Sequence, residues 1–92
     1  MIKDTIKFLG EENFLRICRE FNLEPEEIEV VRGIIKSWDS FMAIRDVEAR
    51  QRKKEEEVIE AIKDLPPEKS QKIILALLEV SSLFAQFSLR RQ

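Results

Sequence analysis

Apolar residues recur along this chain at steps of three and four, the spacing that gathers them on one side of an α-helix. The first predicted helix runs from about Ile2 to Leu9 and stops at Gly10, since glycine readily closes a helix. The second covers Glu11 to Phe21, with Phe14, Ile17, Cys18 and Phe21 on one side. The segment NLEP makes the turn that follows. Pro25 fits the first turn of a third helix, and Glu24, Glu26 and Glu27 suit the positive end of its dipole. That helix carries Ile28, Val31, Ile34 and Ile35, and Gly33 weakens its interior without forbidding it.

Further on, Ser37, Asp39 and Ser40 each qualify as the N-cap of a fresh helix around Trp38. The pattern therefore leaves open whether residues 28–64 form one helix or two. Ile44, Val47, Gln51, Lys54, Val58, Ala61 and Leu65 then fall at alternating three- and four-residue steps. The middle of this stripe, RQRKKEEE at 50–57, holds no apolar residue, so about 12 Å of helix has no greasy face. Neighbouring Glu and Lys side chains would hold such a segment in solvent. Pro66 pushes Leu65 out of helical geometry, and Pro67 can open a last helix reaching Leu89. The expected fold is all-α: a small bundle of about four helices, two short and two long, in one domain, 1–92. Residues 1–36 form a short-helix head, and 38–92 form a long antiparallel hairpin, expected to be dimeric.

The last helix is too greasy for a surface helix. Ile73, Leu77, Val80, Phe84 and Phe87 make one seam, and Ile74, Leu78, Ala85 and Leu89 make a second beside it, with Ser81 and Ser88 between. On a helical wheel the combined apolar arc is about 240°, against the 100° or so that a surface helix needs. A chain of 92 residues has little material to cover the surplus, so a second copy or another protein is the expected cover. The partner-binding residues are then Ile73, Ile74, Leu77, Leu78, Val80, Phe84 and Phe87. A membrane-surface role would want Lys and Arg on the polar face, where the helix instead offers Gln71, Glu79, Ser82 and Gln86.

The stretch FLRICREFNLEPEEIEVVRG, residues 14–33, has the spacing of a helix-turn-helix: Ile17, Cys18, Phe21, Leu23, Ile28 and Val31 would lock two helices across a tight turn. A reading helix meets bases with Arg, Lys, Asn or Gln at its N-terminus. Here those places hold Glu24, Glu26, Glu27 and Glu29, which phosphates repel. Arg16, Arg19, Arg32 and Lys36 could touch phosphate without outweighing those acids. The stronger basic cluster is Arg45, Arg50, Arg52, Lys53 and Lys54, followed directly by Glu55, Glu56 and Glu57. A dimeric helix-turn-helix transcription regulator using that cluster is the alternative function, and a packing unit without DNA contact is the preferred one.

Composition narrows the chemistry. Charged residues make up 37% and hydrophobic ones 43%, which suits a folded chain and not a disordered one. The formal charge of -2 lacks the basic surplus usual in nucleic-acid binders. There is no histidine, so histidine catalysis and histidine metal sites are excluded. The lone Cys18, with no base beside it, reads as a small buried hydrophobe. No glycine-rich phosphate loop is present. Only paired carboxylates remain, Glu26 with Glu29 and Glu57 with Glu60, each on one helix face. They leave a Mg²⁺-dependent all-α nucleotide pyrophosphatase as a remote alternative, but the further acidic pairs such chemistry needs are missing. No enzyme, cofactor or metal is expected. The opening MIKDTIKFLGEEN has no signal-peptide core, and the run IILALLEV is too short to span a bilayer, so a cytoplasmic protein is expected. High Glu and Lys content also gives a weakly thermophile-like balance.

Overall fold

The computed structural model describes residues 3–90, so the expected helix start at Ile2 lies outside them. Among these residues the protein is all-α, with five helices: α1 (Thr5–Leu9), α2 (Glu11–Glu20), α3 (Pro25–Phe41), α4 (Val47–Ile62) and α5 (Pro67–Arg90). Local chemistry sets each boundary. The Asp4 carboxylate accepts the Lys7 N–H and caps α1. Gly10, at φ 99°, ends α1 and starts α2 in one residue, a backbone conformation that side-chain-bearing residues rarely adopt. Asn22 closes α2 at φ 56°, where asparagine is tolerated, and the Leu23 N–H reaches back to the Cys18 carbonyl. A reciprocal capping box follows, in which the Glu27 side chain accepts from the Glu24 N–H at 2.7 Å.

Residues 28–64 form two helices, and the break falls later than Ser37. α3 runs through Trp38, Asp39 and Ser40, and residues 42–46 form the connection. The three polar residues read as N-caps do other work. The Asp39 carboxylate accepts the Thr5 N–H (2.9 Å) and hydroxyl (2.6 Å) and so ties α3 to the start of α1. Ser37 donates to Glu57 of α4, and Ser40 donates to the Ser37 carbonyl. The cap of α4 is Asp46, which accepts the Glu48 and Ala49 N–H groups. Ile44 lies in the connection, which removes it from the expected stripe.

α5 is the central element. Its Ile73, Ala76, Leu77 and Val80 pack on Ile6 and Leu9 of α1, Phe14, Ile17 and Cys18 of α2, and Val31, Ile34 and Ile35 of α3. At one end Phe8 meets Phe84 and Phe87 edge-on, with ring centres 5.4 and 6.4 Å apart, the offset geometry aromatic pairs prefer. The acidic start of α3 is fastened to α5 where the Lys72 ammonium lies 3.2 Å from the buried Glu27 carboxylate and donates to the Asn22 carbonyl.

α4 differs from the other elements, for it has no buried residue. Its main neighbour is α3, through Trp38 donating to the Lys54 carbonyl at 3.1 Å and through the Ser37–Glu57 bond. It joins α5 through residues 63–66, where Ser70 donates to the Ile62 carbonyl, and its closest backbone packing is with α3. The backbone occupies a slab of 37 × 29 × 15 Å.

Candidate interaction surface

α4 and α5 both rest on α3 and meet each other where Ser70 donates to the Ile62 carbonyl, and a groove opens between them. Trp38 of α3 lies at its base, Val58 and Ile59 come from α4, and Ile74, Leu77 and Leu78 come from α5. Gln51, Lys54, Glu55 and Ser81 supply its polar edge. The groove encloses about 480 Å³. Its apolar walls continue onto the outer face of α5, where Leu78 is 62% exposed and Leu89 68%, with Ile74 and Leu75 also open. At 100° per residue, this row lies opposite the face that carries Ala76, Val80 and Leu83. α5 is therefore apolar on two opposite sides, and the chain covers one of them.

The seven residues expected to bind a partner divide accordingly. Ile73, Leu77 and Val80 belong to the chain's own core, at 3% exposure or less. They are closed to a partner in this fold, because α1, α2 and α3 already occupy that side. Leu77 alone of the three also touches the groove. Phe84 and Phe87 are half-buried under Phe8. Ile74 and Leu78 remain open. Leu75, Leu89 and Ile59 are exposed large apolar residues outside that group of seven. The 3.6-residue wheel holds the signal for Leu75 and Leu89, which flank Leu78 within one stripe; Ile59 follows a polar run that masks it.

The basic cluster does not form one free surface. Lys54 lies over the Trp38 ring at 4.5 Å, Lys53 over Phe41 at 5.7 Å, and Arg50 donates to the Ile44 carbonyl. Arg45 and Arg52 are exposed. On the helix-turn-helix unit, Arg32 is held by both carboxylate oxygens of Glu11, at 2.7 and 2.8 Å, and its guanidinium sits over Phe14. The Glu11 hydrogen bond, working against burial, holds the guanidinium pKa above its usual value. Glu24, Glu26 and Glu29 stay exposed at the start of α3, while Glu27 turns inward.

Cys18 is a free thiol with no exposure, and burial pushes its pKa up to about 11, against partial relief from Arg32. It stays protonated and unreactive at neutral pH. Among the described residues no three His, Cys, Asp or Glu side chains are grouped to hold a metal ion. α5 as a whole, unlike the run IILALLEV within it, is long and apolar enough to cross a membrane by length and composition. No family model matches the chain, nor does any curated protein or solved structure.

Proposed function

We propose that the protein is a helical interaction module, adaptor-like or regulatory, that docks other helices on its C-terminal pair, first of all those of a second copy of itself. The observation that carries this reading is the open apolar row Ile74, Leu75, Leu78 and Leu89, which runs beside the α4/α5 groove and opposite the core face of the same helix. Water in contact with such a row costs about 25 cal/mol for each Å² that burial would remove. Exposed large apolar side chains gathered on one helix face are what a contact site for another macromolecule offers. The groove supplies walls for the i, i+3 and i+4 side chains of an incoming helix. Catalytic groups add nothing to this surface, since its polar edge is one Lys, one Glu, one Gln and one Ser without histidine or thiol.

Sedimentation at micromolar concentration tests the reading. The native chain should run at twice 10.9 kDa, and Leu78→Glu should run as a monomer with an unchanged helical circular-dichroism signal, because Leu78 supports no core contact. A native chain that sediments as a monomer at every concentration ends the proposal.

A further inference from the structure

We infer that the outer face of α5 is covered by α5 of a second copy, lying antiparallel about a twofold axis that passes between Ser81 and Ser82. This rests on the self-association reading and adds its register. In a twofold interface, if residue i meets residue j, then j meets i. For two antiparallel helices, the positions that meet are those equidistant from the axis.

The outer stripe of α5 reads Ile74, Leu78, Ser81 and Ser82, Ala85, Leu89. With the axis between the serines, Ile74 faces Leu89 of the second copy and Leu78 faces its Ala85. Large side chains then meet small ones next to the centre, and the serines let the backbones close to the short end of the usual 8–10 Å spacing. Other registers match less well. Centred one turn earlier, Leu78 meets itself and Leu89 meets Pro67; centred one turn later, Ala85 meets itself and Leu89 meets Ser81. No charged side chain lies on this stripe from Ile74 to Leu89, so a copy of the same face meets no like charge.

α5 runs about 36 Å, and two copies laid antiparallel about this axis overlap along the outer stripe from Ile74 to Leu89, about 22 Å of helix. A lipid surface would accept the same apolar row but would impose no register, which is the difference the experiment reads.

Three variants, S82C, I74C and L89C, are each oxidised mildly and run on non-reducing gels beside the native chain, whose Cys18 is fully buried and serves as the background. S82C should link to itself, because its two copies sit on either side of the axis. I74C and L89C should each fail to link to themselves: across the axis their like positions are about 22 Å apart along the helix, far beyond the 4.4–6.8 Å that a disulfide spans between Cα atoms. Mixed together, they should link to each other. If L89C links to itself, or if S82C stays unlinked while sedimentation shows a dimer, the register is wrong and self-association stands. A monomer with no links overturns both, as does a monomer that floats with phosphatidylcholine–phosphatidylglycerol vesicles.

Discussion

Glu27 carries more of the structure than its place in an acidic run suggests. It is 3% exposed, caps the Glu24 N–H and faces the Lys72 ammonium. Burial alone would raise its carboxyl pKa, but the Glu24 N–H and Lys72 together hold it below the ordinary 4.5. A carboxyl depressed on folding contributes stability that is present above its unfolded pKa and lost as pH falls through the folded one. The melting temperature should therefore be flat from neutrality to about pH 5 and fall below that. Glu27→Gln should flatten part of that acid limb, and Glu27→Ala should cost about 2 kcal/mol at pH 7 in urea denaturation, as a lost cap plus an uncompensated cation. At this scale the sequence was half legible. The run of glutamates at the start of α3 was visible, and so was its conflict with DNA reading. That one of the four turns inward was not, because its cation lies 45 residues away on α5.

Among the elements, α5 sets the clearest contrast. Neighbouring residues on it belong to opposite environments: Ile73 has no exposure and Ile74 has 38%. Ile73→Ala should cost about 3 kcal/mol, the lost transfer energy plus the cavity left in the core. Leu78→Ala should cost under about 0.5 kcal/mol in dilute solution, where this side chain is 62% exposed. Equal losses at the two positions would mean that the wheel assignment of α5 is wrong. The oversized apolar arc was readable from the sequence alone, but its division was not. Periodicity measures how wide a stripe is; which part of it faces inward depends on where α1, α2 and α3 arrive. The α3–α4 boundary, which the linear pattern leaves open, falls at residues 42–46 for a related reason. Ser37, Asp39 and Ser40 have cap chemistry, yet Asp39 spends it on Thr5, which is 34 residues away in sequence.

For the whole molecule, folding and association should be coupled. Anything that binds the folded chain and not the unfolded one raises apparent stability by mass action. The melting temperature of the native protein should then rise with protein concentration over the micromolar range, and that of Leu78→Glu should not move. A concentration-independent transition for both would separate the exposed row from stability altogether. The all-α class and the extent of the last helix were legible from periodicity and the proline boundaries. The groove was not. It exists because α4 leans on α3 through Trp38 and Ser37, and neither bond has a signature in the linear pattern.

The two walls of that groove are unequally founded. α5 is rooted in the core by four enclosed side chains, whereas α4 contributes none and is attached through one indole, two serines and partial packing. An occupant wider than the groove should therefore displace α4 before α5, as a vice moves one jaw against a fixed one.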